Sequence, residues 1–299
     1  MNAYETMLLI RMVEDRLQEL CLQGEAGDLH FSKGQEAIAV GVCQALRPTD
    51  HMVTHHRTIA HEIAKGADLY GLIAEVLGKR TGINRGRAGE MHLHNQAIRH
   101  DFSFQLVGTC VPVAAGIAWA LKNVKKNDEV VVCFFGDAAS SNGQIHEGLN
   151  IAAIHKLPLL LVCENNELAG NIRPKDYLPT DTVMERMTAY GIPAMKIDGN
   201  DVAMVREATL QVLPQLKSGP FMIEMMTTRL CWHKQGQKDV RSAEELAKLA
   251  ERDPLLRIEK RLVSGERLRA DAEARLRPML DDVFARVAAD PIAEWEGDR

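Results

Sequence analysis

The sequence predicts an α/β fold in which a parallel sheet is flanked by helices, with helical extensions at its N- and C-terminal ends. Apolar runs of strand length alternate with helical patterns through the middle of the chain, as in successive strand–helix–strand units. The turn segments Gly191-Ile192-Pro193 and Ser218-Gly219-Pro220 separate neighbouring elements cleanly. Crossovers between parallel strands are right-handed, so we expect these strands to lie side by side in one sheet.

The local patterns justify each element in chain order. Apolar residues at helical spacing predict helices over residues 3–22, 36–46 and 69–77. The glycine-rich stretch 82–89 breaks this pattern and is expected to form a loop, and an apolar run rich in small residues predicts a buried helix over 111–124. The alternation then predicts strands at 129–135, 159–164, 194–197 and 221–226, and helices at 143–155, 182–190 and 202–216.

The C-terminal part is charged and helical from Ser242 onward, and residues 257–286 predict long amphipathic helices. The chain shows no repeat, low-complexity tract or linker. We therefore expect a single domain over residues 1–299, with a core of about 11–262 and a helical extension of about 263–299.

Composition excludes several classes of function. The formal net charge is −5 with no basic block, which argues against nucleic acid as a partner. No apolar run reaches the roughly 20 residues of a membrane span, so no membrane association is expected. Residues 1–17 mix charges with apolar positions, unlike a signal or transit peptide. The six cysteines are scattered without a Cys-x-x-Cys pair, which indicates a reducing compartment, so we expect a cytoplasmic protein.

Two polar motifs follow consecutive predicted strands. Gly136-Asp137-Ala138-Ala139 follows the apolar run 130–135, and Glu164-Asn165-Asn166 follows the run 159–163. Open parallel sheets bind ligands at the carboxyl ends of their strands, so Asp137 and Asn166 are expected to lie close together at such a site. A carboxylate and an amide oxygen suit Mg²⁺. A Gly-Asp pair can also be a simple turn that ends a strand.

The pair of motifs resembles the thiamine diphosphate motif, in which Gly-Asp-Gly is followed at about this distance by Asn-Asn. Over residues 11–262 the chain resembles the alpha subunits of the thiamine-dependent 2-oxo-acid dehydrogenases, the pyruvate, branched-chain and acetoin group. The segments that carry the resemblance keep the family's order and nearly its spacing: His30-Phe31-Ser32-Lys33-Gly34-Gln35-Glu36-Ala37, His56-Arg57, Gly86-Arg87-Ala88-Gly89-Glu90-Met91-His92, Leu106-Val107-Gly108, Val111-Pro112, Ala115-Gly116, His146-Glu147-Gly148-Leu149-Asn150, and Lys156-Leu157-Pro158 before Glu164-Asn165-Asn166.

The resemblance implies the thiamine diphosphate-binding fold, in its diphosphate-binding domain, and a cofactor site. Mg²⁺ would be held by Asp137, Asn166 and the backbone carbonyl of Leu168. Donors to the diphosphate would be Arg57, whose guanidinium matches phosphate geometry, and the backbone amides of Ala138 and Ala139. His56 stands where many members carry tyrosine, and either side chain can donate a hydrogen bond. The backbone of Gln105 and Val107 would contact the aminopyrimidine ring.

Two histidines match family positions that line the substrate pocket. His30 and His233 are expected to stabilise developing charge on the substrate or to relay protons. The surroundings of His233 depart from the family, because a His-Gly-His-Ser run is replaced by Cys231-Trp232-His233-Lys234. Ala138 also replaces the second glycine of the motif, and Leu168 replaces an aromatic residue. The changes at residues 231–234 and at Leu168 lie near the substrate or the partner, so the identity of the substrate stays open. The steric effect of Ala138 is small if its backbone avoids positive φ.

The histidines permit a second reading as a zinc site. His92 and His94 form a His-x-His pair, and His55, His56 and His61 cluster in the sequence. No cysteine or acidic pair nearby completes a ligand set. We therefore expect these histidines to serve other roles.

The resemblance implies an alpha subunit that acts only with a partner. The activating glutamate of the family lies on the pyrimidine-binding domain of a beta subunit, so an α2β2 heterotetramer with its active site at an interface is expected. The reaction implied is oxidative decarboxylation of pyruvate or a related 2-oxo acid, or acetoin cleavage, with acyl transfer to a lipoyl-bearing acyltransferase. A split transketolase-like subunit and a non-catalytic subunit remain as alternatives.

Overall fold

The structure is a computed structural model that describes residues 1–234, 237–261 and 265–294. Its strands are β1 His51–His55, β2 His100–Phe104, β3 Val131–Gly136, β4 Leu159–Asn165, β5 Ala194–Asp198 and β6 Phe221–Met226. They form a six-stranded sheet in the order β2-β1-β3-β4-β6-β5, and every neighbouring pair is parallel. The predicted parallel α/β architecture is confirmed.

Helices cover both faces and both ends of this sheet. They are α1 Ala3–Gln23, α2 Glu36–Cys43, α3 Ile59–Lys65, α4 Leu69–Val76, α5 Cys110–Ala120, α6 Gly143–Ile154, α7 Met184–Met187, α8 Val202–Val212, α9 Ala243–Ala250, α10 Pro254–Arg261 and α11 Gly265–Ala289. No helix within the described ranges is both long enough and apolar enough to cross a bilayer.

The predicted elements are present, with ends that differ by a few residues. The helix predicted over 36–46 ends at Cys43, and those predicted over 182–190 and 202–216 finish in 3₁₀ turns. Residues 82–89 form the expected loop. The boundary predicted at 262–263 and the last five residues of the predicted extension lie outside the described residues.

The sequence pattern does not predict β1, β2 or α3. Both strands carry buried polar residues, so they lack the continuous apolar run that predicts a buried strand. The ring Nδ1 of His51 lies 2.7 Å from Asp101 Oδ2, and that of His100 lies 2.5 Å from Glu62 Oε1. These partners come from elsewhere in the fold and satisfy the polar groups that burial would otherwise penalise.

Alternation along the central strands divides the core between the two faces of the sheet. On β3, Val131, Cys133 and Phe135 pack in the cluster that includes α5 and α6, whereas Val132 and Phe134 pack in the cluster that includes α2 and α8. Strands buried on both faces are typical of parallel sheets. This arrangement fixes the carboxyl ends of β3 and β4 in a rigid frame.

The terminal helices form a third apolar cluster beside the sheet, built mainly from α1, α3, α4 and α11. A buried ion-pair network ties them to the core. The Arg11 guanidinium lies 2.6 Å from Glu36 Oε1 and 2.9 Å from Asp253 Oδ2. Arg11 therefore joins α1 to α2 and to the start of α10, directly behind the segment that carries Gln35.

Candidate functional site

The two polar motifs meet at the carboxyl edge of the sheet, as predicted. Gly136 at the end of β3 pairs in register with Glu164 of the adjacent strand β4. Asp137 then opens a 3₁₀ turn, Asp137–Ser141, and Asn166 directly follows β4. The short strand-to-turn connections place both side chains on the wall of one cavity of about 340 Å³.

The two asparagines of the second motif have different roles. Asn165 is structural, because its Nδ2 donates to Glu224 Oε1 at 2.7 Å and its Oδ1 accepts the Glu167 backbone N–H. Asn166 instead donates its Nδ2 to Gln35 Oε1 at 2.8 Å. Its Oδ1 is buried and has no hydrogen-bond partner. An orphaned amide oxygen beside a carboxylate is the donor that a hard cation requires.

Gln35 reaches Asn166 because Gly34 packs tightly against the end of β6. Gly34 has a φ of +93°, and a Cβ there would lie 2.2 Å from the Thr228 carbonyl oxygen. Only glycine fits this position. Gln35 Nε2 is also buried without a hydrogen-bond partner, so this wall of the cavity has a second polar atom that a ligand could satisfy.

Asp137 is buried and strongly constrained. Its carboxylate accepts a hydrogen bond from the Tyr177 hydroxyl, and this bond and the backbone N–H groups of Asp137, Asn166 and Ala138 act to lower its pKa. Burial raises the pKa of Asp137 to about 6 in spite of these donors. The carboxylate is therefore largely ionised at neutral pH, where a cation would bind it.

The residues present fit a divalent cation and a diphosphate. Leu168, whose carbonyl is the expected third ligand, lines the same cavity as Asp137 and Asn166. The backbone at Ala138 avoids positive φ, so alanine replaces the motif glycine without strain. His56 Nε2 is another buried polar atom without a partner. Unsatisfied donors and an orphaned oxygen around one cavity match a ligand that carries both phosphate oxygens and a cation.

The cavity brings together most of the predicted site residues. Its wall includes His56, Arg57, Val107, Asp137, Ala138, Ala139, Asn166, Leu168 and His233. Gln105 is exposed and does not line the cavity, although its neighbours Phe104 and Leu106 do. His30 does not itself line the cavity, but its ring centroid lies 4.8 Å from that of His56, which does. The assigned contacts of these residues with a cofactor stay predictions.

Arg57 lines the cavity, but its guanidinium also braces two loops. One terminal nitrogen donates to the Phe31 carbonyl at 2.6 Å, and the other donates to His233 at its carbonyl (2.7 Å) and at Nδ1 (3.0 Å). A buried arginine held this way has little freedom to move. Arg57 therefore links the His30 segment and the His233 loop to the wall of the cavity.

Three histidines cluster next to Arg57. The ring centroids of His30 and His233 lie 5.2 Å apart, and those of His56 and His233 lie 5.8 Å apart. Burial, followed by the Arg57 charge, lowers the pKa of His30 and of His233 to about 4. The same two causes hold the pKa of His56 well below its usual value. All three rings are neutral at pH 7.

A second histidine network joins two residues of the cavity wall, His55 and Glu164, to the buried His61. Glu164 Oε2 lies 2.5 Å from His55 Nε2, and its Oε1 lies 3.0 Å from His61 Nε2. The Arg57 backbone N–H donates to His55 Nδ1, and the Arg57 carbonyl lies 3.2 Å from His61 Nδ1. The two imidazoles hold the pKa of Glu164 far below its usual range. This network holds the Arg57 backbone against β4.

The tautomers argue against zinc in either cluster. His55 Nδ1 accepts the Arg57 backbone N–H, so its proton is on Nε2, the atom that faces Glu164. His233 Nδ1 likewise accepts from the Arg57 guanidinium, so the His233 ring proton is on Nε2. The positive charge of Arg57 also lies beside this cluster, which disfavours a cation there. His92 and His94 are exposed and join no group of potential ligands among the described residues.

Sequence reasoning misses four residues of this site: Gln35, Tyr177, Glu90 and Arg229. Arg229 is fully buried on the cavity wall and donates to the carbonyls of Cys231 and Gly170. No carboxylate lies within ion-pair distance of it in the described part of the chain. Burial, with the Arg57 charge, lowers its pKa to about 10, so it remains cationic. Its position after β6, a neighbour of β4, is the signal that could have identified it.

The chain is similar to known proteins over most of its length. The family model for the dehydrogenase E1 component matches residues 4–295. The acetoin:2,6-dichlorophenolindophenol oxidoreductase alpha subunit of Bacillus subtilis is 40% identical over 237 residues, which cover 78% of this chain and 71% of the relative. The pyruvate dehydrogenase E1 alpha subunit of Rhizobium meliloti is 34% identical over 268 residues, covering 88% and 76%. That of Zymomonas mobilis is 35% identical, covering 88% and 75%.

Proposed function

This chain belongs to the dehydrogenase E1 component family, and from that premise we propose how it serves as the alpha subunit of a thiamine diphosphate-dependent 2-oxo-acid dehydrogenase. It is an oxidoreductase subunit of the pyruvate dehydrogenase type that works with a beta subunit. We propose that it contributes the Mg²⁺ and diphosphate half of a shared active site.

The observation that carries the proposal is the orphaned Oδ1 of Asn166 beside the buried carboxylate of Asp137. Mg²⁺ would be held by these two groups and by the Leu168 carbonyl. Arg57, His56 and the backbone amides of Ala138 and Ala139 would bind the diphosphate oxygens. Thiamine diphosphate, when bound, supplies the electron sink for cleaving the bond next to a substrate carbonyl.

The chain's own side chains prepare the substrate end of the cavity. Neutral His30 and His233 can each donate or accept a hydrogen bond without the cost of desolvating a charge. Arg229 offers a buried positive charge with no carboxylate at ion-pair distance among the described residues, which supports a substrate carrying a carboxylate, hence a 2-oxo acid. Acetoin, which is uncharged, is the second candidate, favoured by the 40% identity to the Bacillus acetoin oxidoreductase subunit.

Several features support the proposed partners and setting. Phe102, Leu106 and Val107 expose apolar side chains at or near the cavity mouth, where a beta subunit would complete the site. An α2β2 assembly and a lipoyl-bearing acyltransferase follow the pattern of the 2-oxo-acid dehydrogenases. All six cysteines are free thiols, which supports a cytoplasmic location.

Reconstitution with the beta subunit tests the proposed function. The complex, assayed with an artificial electron acceptor, should turn over a 2-oxo acid at about 1–1000 per second and should need both thiamine diphosphate and Mg²⁺. The isolated chain should be inactive because its half-site lacks the activating glutamate. Activity on acetoin alone would select the second candidate. Transfer of a ketol group between sugar phosphates would indicate the transketolase-like alternative, and an inactive complex would indicate a non-catalytic subunit.

A further inference from the structure

Glu90 holds His30 through both its ring and its backbone. Glu90 Oε1 lies 2.7 Å from His30 Nδ1, and the two carboxyl oxygens accept the His30 backbone N–H at 2.9 and 3.0 Å. The Glu90 side chain is only 2% exposed and that of His30 only 11%. A carboxyl group with two contacts to one residue fixes the ring plane as well as its position.

The loop that carries Glu90 is itself held by a buried carboxylate. Glu75, which is fully buried on α4, accepts the backbone N–H groups of Asn84 (2.7 Å), Gly86 (2.8 Å) and Ala88 (2.6 Å). These bonds fold the glycine-rich loop 82–89 into one conformation two residues before Glu90. Glu90 is therefore presented to His30 on a supported loop.

We propose that Glu90 is a positioning residue that sets the tautomer of His30. While the carboxyl is protonated, it donates to Nδ1 and places the ring proton on Nε2, so His30 presents a hydrogen-bond donor. When the carboxyl loses its proton, Nδ1–H donates to the carboxylate and Nε2 becomes an acceptor. The role in catalysis rests on the proposed function, in which His30 serves the substrate.

The electrostatics place this change near the upper end of the physiological range. Burial raises the pKa of Glu90 to about 8, against the opposing influence of the His30 backbone bond and of Arg57. Near pH 7 the carboxyl thus retains its proton while the imidazole is neutral, because the pKa of His30 is lowered to about 4. The proton belongs to the pair, which titrates as one unit. The titratable or charged groups that face it are Cys21, Asp28, His56, Arg57, Arg229, His233 and Lys234.

Substitution of Glu90 by glutamine separates the two states. The amide oxygen would accept the His30 backbone N–H, so the NH₂ group would face Nδ1 and donate to it. Glu90→Gln therefore locks His30 as an Nε2–H donor at every pH. Glu14 offers a matched control, because it is another buried glutamate whose pKa burial raises to about 8. It bonds to Ser32, two residues from His30, and contacts no histidine ring in the hydrogen bonds that the structure shows.

Long-range ¹H–¹⁵N NMR of histidine-labelled chain in the complex with its beta subunit reads the tautomer directly. The His30 signals are assigned with His30→Asn. In the parent and in Glu14→Gln, the ring proton should move from Nε2 to Nδ1 within about one pH unit of 8, whereas in Glu90→Gln it should stay on Nε2. A parent His30 that keeps one tautomer from pH 6 to 10 overturns the proposal, and this result does not require an active enzyme or a folded Glu90 variant.

The pH dependence of kcat tests whether the His30 tautomer matters for catalysis. The parent and Glu14→Gln should lose turnover as the pH rises through about 8, because His30 ceases to be a donor. Glu90→Gln should keep whatever turnover it has at pH 7 as the pH rises through about 8, because its amide has no proton to lose in that range. Identical alkaline profiles in all three would contradict the catalytic role. If the complex shows no 2-oxo-acid activity, the proposed function fails while the NMR result still decides the assignment of Glu90.

Discussion

Gln35 fixes the orientation of the Asn166 amide. Its Oε1 accepts the Asn166 Nδ2–H at 2.8 Å, so the amide nitrogen faces Gln35 and the buried Oδ1 faces the Asp137 side of the cavity without a partner. A rotated amide would offer a cation two N–H donors in place of an oxygen. Gln35 thus acts on the predicted Mg²⁺ site without being one of its ligands.

Replacement of Gln35 by alanine should weaken Mg²⁺-dependent binding of thiamine diphosphate to the complex. Loss of a group that orients a metal ligand typically costs about 10–100-fold in affinity. Titration calorimetry in Mg²⁺ measures this loss. Gln44→Ala, at the end of the same helix but outside the cavity, should bind as the parent does. Unchanged affinity in Gln35→Ala would mean that the Asn166 amide needs no support.

Replacement of His30 by alanine should lower turnover on a 2-oxo acid about 10²–10⁴-fold while cofactor affinity stays nearly intact, because His30 acts after the cofactor has bound. His233→Ala should cost less turnover. Its carbonyl would still accept from Arg57, although the Nδ1 bond is lost. The exposed His155 supplies the control, His155→Ala. Full activity in His30→Ala would remove His30 from the mechanism, and a loss of cofactor affinity alone in His233→Ala would assign that loop to cofactor retention.

Replacement of Arg11 by methionine should destabilise the protein strongly. The change leaves the buried carboxylates of Glu36 and Asp253 without their partner, which typically costs about 3–5 kcal/mol. Arg16 lies on the same helix and pairs with Glu19 at the surface, so Arg16→Met should cost at most about 1 kcal/mol. Urea unfolding of both variants measures the free energies. Equal losses would show that the Arg11 network contributes no more than a surface pair.

The neutral histidine cluster should make stability depend on pH. The folded pKa of His233, about 4, lies below its unfolded value of about 6.5, so its contribution is present above pH 6.5 and is lost as the pH falls toward 4. As the pH falls from 6.5 to 5, the unfolding free energy of cofactor-free His233→Asn should therefore rise relative to that of the parent. A constant difference for His233→Asn would mean that this histidine is charged as readily when folded as when unfolded.

The central sheet and the position of the residues proposed to bind the cofactor can be predicted from the sequence, because both depend on local patterns. Strands β3, β4 and β6 are apolar runs with clear punctuation, and the position of Asp137 and Asn166 follows from the rule that parallel strands bind ligands at their carboxyl ends. The prediction also separates Asn166 from Asn165 through the resemblance to the thiamine motif. The structure gives the physical reason for this difference, because the Asn165 side chain is hydrogen-bonded to Glu224.

Other parts of the site depend on long-range contacts that no local pattern contains. Strands β1 and β2 are polar in sequence and become buried only because Glu62 and Asp101 satisfy their histidines. Tyr177 reaches Asp137 from 40 residues away. Glu90 meets His30 across 60 residues of chain, and only the fold reveals that the carboxyl and the imidazole lie 2.7 Å apart.

Calorimetry of thiamine diphosphate binding to the reconstituted complex, with and without Mg²⁺, tests the central assignment most directly. The account predicts that the parent binds the cofactor in a Mg²⁺-dependent manner and that Asp137→Ala abolishes this binding, because it removes the anionic ligand of the cation. Asp181→Ala, which changes an exposed aspartate outside the cavity, should bind as the parent does. Mg²⁺-dependent binding of undiminished affinity in Asp137→Ala would contradict the assignment of this cavity as the cofactor site.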